Sequence, residues 1–416
     1  MTALSAASRN ARLLNAADWL AVAVAASLPW STSATGILAA LWAVALVAMF
    51  DVRALRETVM TAAGGLPVLL VLIGALGMLW ADVSLAERWN GIGSYFKLLA
   101  IPLLFIHFQR SERGFYVFAA FVASCLVLLV VTALVVAIPP LAAMWVKPDN
   151  VIVKNAASQS GEFVLCVFGL MYVAADTIDR RQWRWLAGIA LSMLGMLTSM
   201  FFLSTGRTAL ATMPVLLVLF AIRRLSLKAG AAVLAGAVLL GVVAWFSAPY
   251  LRERTIQVWT DAQHYFATDE QNSSGERIEF YKKSFAFVRE APLIGHGTGT
   301  IHELFIASSA GKTGASGSAT TNPHNQTFAV AIQIGLVGVA VLWAMWIAHL
   351  LLFRAPGLAE WIGLVVVAQN IVGSLFNSHL FDFLQGWIYV FGVGVAGGMA
   401  LRGRHGPAAD NKSPAS

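Results

Sequence analysis

The chain alternates between long apolar runs and short polar connections along its whole length. A helix needs about 20 apolar residues to cross the roughly 30 Å hydrocarbon layer of a membrane. Runs of nearly this length recur throughout, so the pattern predicts an all-α polytopic membrane protein with about twelve transmembrane helices. The apolar segments are residues 15–31, 35–50, 63–80, 92–108, 115–138, 158–177, 185–203, 207–222, 227–248, 326–352, 357–376 and 384–401.

One polar connection, residues 249–325, is far longer than ordinary loops. Its first half predicts a helix, because apolar residues recur at helical spacing behind Asn272, a residue type favoured as an N-cap. These apolar residues are Ile278, Tyr281, Phe285 and Val288. Its second half, from Ser308 to Thr321, is rich in small and polar residues and predicts a mobile strap.

Lys and Arg residues in short loops mark the cytoplasmic side of a membrane protein. The N-terminus and every second connection hold most of them, whereas the opposite short connections hold only Arg88, Lys147, Lys154 and Arg207. This asymmetry predicts an inner-membrane protein with both termini in the cytoplasm. Arg9 and Arg12 precede the first apolar run as in a signal peptide, but a second run follows at once, which favours an uncleaved first helix.

The predicted organisation has four parts. Residues 1–248 carry the first nine membrane helices, and residues 249–325 form a partly helical periplasmic loop. Residues 326–402 carry the last three membrane helices, and residues 403–416 form a cytoplasmic tail.

The composition supports a membrane protein without a soluble catalytic domain. Apolar residues make up 58% of the chain and charged residues 12%, and the mean hydropathy is +0.73. Soluble domains are about half apolar and about a quarter charged. Cys125 and Cys166 fall in apolar runs, where a disulfide framework is not expected. The basic residues are dispersed in short loops, so we expect membrane lipids and no nucleic acid as partners.

Four cations are predicted at the outer membrane level: Arg88, Lys97, Arg207 and Arg277. An ionisable side chain near hydrocarbon is costly and often functional. A single Arg at this level is commonly explained by lipid headgroups, and Lys97 has the structural alternative of an ion pair with Glu162. Four such cations favour binding of an anionic, lipid-linked diphosphate.

His324 lies where the tenth apolar segment enters the membrane. A histidine at this position commonly caps the helix, but histidine is also the usual general base near neutral pH. His379 is the second choice among the outward histidines, which also include His264, His296 and His302. The sequence contains no Asp-x-Asp or Asp-Asp pair, which removes the simplest sequence argument for a catalytic metal. We expect no metal and no other cofactor.

Three outer-side motifs occur in order around the long loop. The first is Phe202-Leu-Ser-Thr-Gly-Arg-Thr-Ala, and the second is Gly275-Glu-Arg with Phe285 and Pro292-Leu-Ile-Gly-His-Gly-Thr-Gly. The third is His324-Asn followed, after nine residues, by Gly335-x-x-Gly338. Together they resemble the bacterial O-antigen ligase and polymerase superfamily. The twelve-helix layout extends this resemblance over nearly the whole chain.

The resemblance implies a GT-C-like membrane fold and a metal-independent glycosyltransferase. Its reaction would move a glycan from undecaprenyl diphosphate to the lipid A–core of lipopolysaccharide at the periplasmic face. Because no carboxylate nucleophile stands out in the sequence, we expect direct attack by the acceptor and therefore inversion at the anomeric carbon. His324 corresponds to the general base. Arg207 and Arg277 correspond to donor-binding arginines, and Arg88 and Lys97 fit this role by location.

Three alternatives stay open. An O-antigen polymerase tends to have a second large outer loop, whereas the connection between the fifth and sixth segments is short. A protein O-oligosaccharyltransferase commonly has further sequence after the last motif, whereas the sequence after that motif is short here. A transporter or flippase would show repeat symmetry and helices broken near the midplane, whereas the unusual polar groups here crowd one face.

Overall fold

The computed structural model describes residues 3–49, 51–146, 151–204 and 206–405. These residues are almost entirely helical and contain no extended strand. Their α-helices are α1 (Ala3–Ser27), α2 (Thr32–Val47), α3 (Val52–Val59), α4 (Ala62–Gly77), α5 (Leu85–Phe96), α6 (Ala100–Arg110), α7 (Gly114–Ala137), α8 (Pro139–Trp145), α9 (Ala156–Asp179), α10 (Trp183–Thr198), α11 (Arg207–Arg224), α12 (Leu227–Ser247), α13 (Pro249–Thr268), α14 (Ser273–Glu290), α15 (Ile301–Ser309), α16 (Gln326–Leu352), α17 (Leu358–Gly373) and α18 (Phe383–His405).

Each of the twelve apolar segments is helical, and the all-α polytopic class is confirmed. In the described residues, seven helices are long and apolar enough to cross a membrane, or eight if the bent pair α2 and α3 forms one span. One of the seven joins α5 and α6 through a 3₁₀ turn at Lys97–Leu99. The apolar helices α4 and α17 have only 16 residues each. The number twelve therefore stays a prediction.

The core centres on α18 and α6, which pack closely along their length. Glycines on α18 allow this approach, because a Cβ at Gly394 would lie 2.5 Å from Leu104 and one at Gly397 would lie 2.2 Å from Phe105. Small residues serve the same purpose in other membrane helix pairs. In contrast, α12 exposes nearly all its apolar side chains, as expected for a helix that faces lipid.

The two ends of the helix bundle differ in charge. One end carries α13, α14 and α15, and we call it the loop end. At the opposite end, arginines donate to the last carbonyls of α16, where cations are favoured by the helix dipole. Arg404 donates to Leu352 at 2.7 Å and Arg223 to Phe353 at 3.1 Å. The membrane orientation inferred from such residues remains a prediction; Lys147 and tail residues 406–416 lie outside the described residues.

The helix predicted in the first half of the loop is confirmed as α14. The side chain of Asn272 caps it by accepting the N–H of Gly275 at 2.8 Å. Phe280 and Phe287 pack on α15 and α16, while Phe285, one of the residues whose spacing indicated the helix, is 58% exposed. The apolar spacing identified the helix but not the side that its neighbours cover.

The segment from Ser308 to Thr321, predicted as a mobile strap, is held by hydrogen bonds. The ammonium of Lys283 on α14 donates to the carbonyls of Ser316 and Ser318 at 2.7 and 3.0 Å. The carboxylate of Asp269 accepts from the hydroxyl of Ser316 at 2.6 Å. The two anchoring side chains are distant in sequence, so composition alone did not reveal them.

Candidate functional site

The candidate site lies at the loop end, where α16 is broken and holds a segment of the long loop. The helical backbone is interrupted at Ile334 and Gly335, where Gly335 has a φ of +64°. Residues 292–299 fill the break and exchange backbone hydrogen bonds with α16. Leu336 donates to Pro292 at 2.8 Å, and Gly297 donates to Gln333 at 2.9 Å.

Glycine is required at these contacts. Gly297 and Gly299 have φ values of +102° and +97°, which disfavour other residues. A Cβ at Gly297 would lie 2.4 Å from Ala81, and one at Gly335 would lie 2.1 Å from the carbonyl oxygen of Leu293. The glycine-rich motif of residues 292–299 thus joins α4, α5 and α16 by close backbone packing.

His324 lies just before α16 in a left-handed backbone conformation, with φ +55°. Its N–H donates to the side chain of Asn322 at 2.9 Å. The helix begins at Gln326, and its N-cap is Asn325, whose side chain accepts the N–H of Phe328 at 3.1 Å. The helix-cap interpretation of His324 is therefore wrong.

The imidazole of His324 belongs to a relay that we define as His324, Asn377 and Asp382. Nδ1 of His324 lies 3.1 Å from Oδ1 of Asn377, and Nδ2 of Asn377 donates to the carboxylate of Asp382 at 2.6 Å. An amide oxygen can only accept, so Nδ1 carries the proton in this arrangement. Nε2 then holds the free lone pair that a general base needs.

The turn that carries Asn377 and Asp382 is held from two sides. The side-chain oxygen of Gln326 accepts the N–H groups of Leu380 and Phe381 at 2.9 and 3.3 Å. The ammonium of Lys97 donates to the carbonyls of Phe381 and Asp382 at 3.1 and 2.7 Å. Lys97 thus positions the backbone of the relay.

Burial and charge favour the neutral form of His324. Burial, reinforced by the Arg277 guanidinium, holds the pKa of His324 below its usual value, while the hydrogen bond to Asn377 opposes this shift. Burial lowers the pKa of His379 to about 4, and Arg277 acts in the same direction. Burial raises the pKa of Asp382 to about 6, and the Lys97 ammonium opposes this rise. His324 is thus neutral, and able to accept a proton, at neutral pH.

One face of α14 lies against His324, through residues three and four positions apart. The ring of Phe280 is nearly parallel to the imidazole at 5.9 Å, and the hydroxyl of Tyr281 donates to the carbonyl of His324 at 3.1 Å. Arg277 is half-buried on the same face and acts electrostatically on His324 and His379. Within the described residues its guanidinium makes no hydrogen bond or ion pair.

The two other predicted arginines make different contacts. Arg88 donates to the carbonyls of Val83 and Met78 at 3.0 and 2.9 Å, and so ties the connection between α4 and α5. Arg207 begins α11, and its Nη2 lies 3.5 Å from the side-chain oxygen of Gln257 on α13. Since α13 packs against α14, Arg207 is linked to the relay through these two loop helices.

The predicted alternative of an ion pair between Lys97 and Glu162 is wrong. The carboxylate of Glu162 lies 3.7 Å from the ammonium of Lys154. Lys97 points to the start of α18, where a Cβ at Gly386 would lie 2.5 Å from its ammonium. The missing side chain of Gly386 makes room for Lys97.

The remaining outer histidines have other surroundings. His264 pairs with Glu270 at 3.1 Å, and Nε2 of His296 donates to the carbonyl of Phe287 at 2.9 Å. Nδ1 of His379 is buried without a hydrogen bond in the described structure. His302 joins the one group of potential metal ligands found there, with Glu87 and Glu303, whose ligand atoms lie within 4.8 Å of one another. His302 and Glu303 are exposed.

A polar cavity of about 420 Å³ lies beside the relay and is lined in part by Asn322 and Asp382. A second cavity of about 470 Å³ lies among α1, α7, α9, α17 and α18 and is lined by apolar side chains such as Phe118 and Leu165. Apart from the buried thiol of Cys166, the second cavity offers no group for acid, base or anion chemistry. The polar cavity is therefore the one that belongs to the site.

Sequence reasoning missed Asn377 and Asp382. Both lie in the short polar stretch between the last two apolar segments, from which only His379 was selected. The available signal was an acidic residue at the outer start of the last membrane helix, where ionisable groups are unusual. Their contact with His324 depends on a turn about 55 residues away in the chain.

Comparison with known proteins adds one finding. No curated protein matches the chain. Residues 194–343 match the O-antigen ligase family. The matched region runs from the end of α10 through Arg207, Arg277, the glycine-rich segment and His324 into α16, and it stops before Asn377 and Asp382. Over residues 194–343, about a third of the chain, the protein is therefore similar to the O-antigen ligase family.

Proposed function

We propose that this protein transfers a glycan from undecaprenyl diphosphate to a sugar hydroxyl of the lipid A–core of lipopolysaccharide, at the periplasmic face of the inner membrane. The observation that carries the proposal is the relay of His324, Asn377 and Asp382 beside Arg277, whose guanidinium has no hydrogen bond or ion pair to any residue that the structure describes. A base and a cation at one place fit glycosyl transfer from a diphosphate. The O-antigen ligase domain supports the same chemistry.

In this proposal His324 activates the acceptor. Nε2 takes the proton of the acceptor hydroxyl while its oxygen bonds to the anomeric carbon of the donor glycan. The resulting imidazolium is stabilised by the amide oxygen of Asn377, which Asp382 orients. General-base help of this kind is typically worth roughly 10²–10⁴-fold in rate.

Cations receive the leaving group. As the bond between the anomeric carbon and the diphosphate breaks, its electron pair moves onto the diphosphate, and a positioned guanidinium stabilises that charge. We assign this role to Arg277, with Arg207 as the second donor-binding residue. The contacts of Arg88 and Lys97 favour positioning roles for both. Direct displacement by the acceptor inverts the anomeric centre.

A transfer assay tests this proposal. Purified protein is given a lipid-linked glycan donor and one of three acceptors: rough lipopolysaccharide, a second lipid-linked glycan or an acceptor protein. We expect modified lipopolysaccharide alone. Elongated lipid-linked glycan would indicate a polymerase, and a glycosylated protein would indicate a protein O-oligosaccharyltransferase. Movement of donor across proteoliposomes without a covalent product would contradict an enzymatic function.

A further inference from the structure

The polar cavity of about 420 Å³ is lined by Asp382 of the relay and not by Arg277. It lies among α5, the start of α15 and the turn before α18. Its lining includes Glu87, Asn90, Ser94, His302, Ser378 and Asp382. Asn322 also lines it, and Asn322 donates to Oδ1 of Asn377 at 2.7 Å. A molecule in the cavity would therefore contact Asn322, which is hydrogen-bonded to the residue that orients His324.

The charges of the cavity exclude the diphosphate as its ligand. Its lining includes the carboxylates of Glu87 and Asp382 and contains no Lys or Arg. A diphosphate would be repelled here, whereas Arg277, which does not line the cavity, would attract it. Carboxylates, amides and hydroxyls are instead suitable partners for the hydroxyl groups of an uncharged sugar. The volume is within the range of small-ligand sites.

Ser378 gives independent evidence for a ligand. It is only 4% exposed, it lines the cavity, and its hydroxyl has no hydrogen-bond partner in the described structure. Buried hydroxyl groups are normally paired. The oxygen itself is shielded from solvent, so a sugar hydroxyl in the cavity would pair with it after a rotation of the Ser378 side chain toward the cavity.

We propose that this cavity binds the acceptor sugar next to the relay, with the reacting hydroxyl extending from the cavity toward His324, which lies outside the lining. The inference rests on the proposed transfer reaction and adds the residues that select the acceptor. Glu87 and Ser378 bind acceptor hydroxyls, and Asn90 lies at the exposed rim. A site that hydrogen-bonds substrate hydroxyls discriminates strongly against sugars that lack them.

The test uses two cavity variants and two matched controls in the full-length protein. Glu87→Gln removes a lining charge, and its control is Glu303→Gln, which removes a neighbouring charge outside the lining. Asn90→Trp obstructs the exposed rim, and its control is Ala86→Trp, at an exposed position of α5 outside the lining. All assays contain a chelator, because Glu87 and His302 also belong to the group of potential metal ligands.

Two readouts separate this inference from the proposed function. The first is the KM for rough lipopolysaccharide and for donor, and the second is binding of delipidated core oligosaccharide, followed by ligand-observed NMR. We expect each cavity variant to raise the acceptor KM by about 10-fold, as for loss of one or two hydrogen bonds, with the donor KM unchanged. Oligosaccharide binding should weaken in parallel, and both controls should behave as wild type.

Wild-type transfer with an unchanged acceptor KM in both cavity variants would contradict the cavity assignment and leave the proposed function intact. A rise in donor KM instead would also contradict it. Oligosaccharide binding that the cavity variants abolish, in a protein that transfers no glycan, would support the cavity and contradict the proposed function.

Discussion

At the residue scale, the backbone at His324 decides which substitutions are informative. Its φ of +55° is a left-handed conformation that Asn tolerates and Ala adopts at a cost. The N-cap of α16 is the neighbouring Asn325, so changing His324 removes no cap. Asn is therefore the substitution that keeps the local structure and removes the base.

We expect His324→Asn to lower single-turnover transfer by roughly 10²–10⁴-fold, because Asn cannot accept the acceptor proton. Donor binding and thermal stability should stay near wild type. His264→Asn, at an exposed histidine outside the relay, is the matched control and should be active. Near-normal transfer by His324→Asn would place the base elsewhere, with His379 as the next candidate.

The pH dependence of transfer should follow the groups around His324. A general base works in its neutral form, so activity falls as the pH drops through its pKa. Asn377→Leu removes a hydrogen bond that raises this pKa, so the acid limb of kcat/KM should move to lower pH. Arg277→Gln removes a charge that lowers it, so the limb should move to higher pH. Limbs that coincide with wild type in both variants would argue against His324 as the titrating base.

The proposed role of Arg277 in diphosphate binding should require a guanidinium group and not only a positive charge. Arg277→Lys keeps the charge but loses the two-pronged contact with a diphosphate. We expect a clear rise in donor KM, with the acceptor KM little changed. Arg289→Lys, at an exposed position on the same helix, is the control. Wild-type kinetics in Arg277→Lys at limiting donor would remove this residue from the diphosphate site.

At the element scale, the break in α16 is the feature that assembles the site. The break accepts residues 292–299, and this contact brings α4, α5 and the loop end together. The third sequence motif thus contains residues with two different roles. His324 provides the proposed base, while Gly335 allows a positive φ and a close backbone contact at which no side chain fits.

Gly335→Ala should destabilise the protein by more than about 1 kcal/mol, because alanine is strained at positive φ and its Cβ would lie 2.1 Å from the carbonyl oxygen of Leu293. The measurement is thermal unfolding in detergent, together with the yield of folded protein. Gly236→Ala in α12 is the matched control, because no atom lies within 4 Å of its added Cβ. Equal stability of the two variants would contradict the account of the break.

At the scale of the whole molecule, charge distribution predicts orientation. Arginines lie at helix ends opposite the loop end, in agreement with cytoplasmic termini. Reporter fusions after Ser308 and after Arg404 should therefore report the periplasm and the cytoplasm, respectively. Reports of the same compartment from both fusions would overturn the orientation.

The reaction should also persist without a divalent metal, because a base and cations carry all proposed steps. Wild-type protein treated with a chelator should keep its transfer rate. A strict requirement for added divalent metal would contradict this expectation and draw attention to Glu87, His302 and Glu303.

The sequence by itself determined the helical membrane class, the position of the long loop and the start of α14 at its Asn272 cap. Apolar runs and capping residues act over a few neighbouring positions, so their physical effect is readable locally. The same local character made His324 conspicuous.

Only the tertiary structure decided how the polar groups are paired. Lys97 contacts the turn before α18, Glu162 pairs with Lys154, and Asn377 orients His324. The contacts of Lys97 and Asn377 join residues that are far apart in the chain, and that of Lys97 needs the space left by Gly386. A buried polar group must find a partner, but local sequence does not say which of the candidates will be within hydrogen-bond distance.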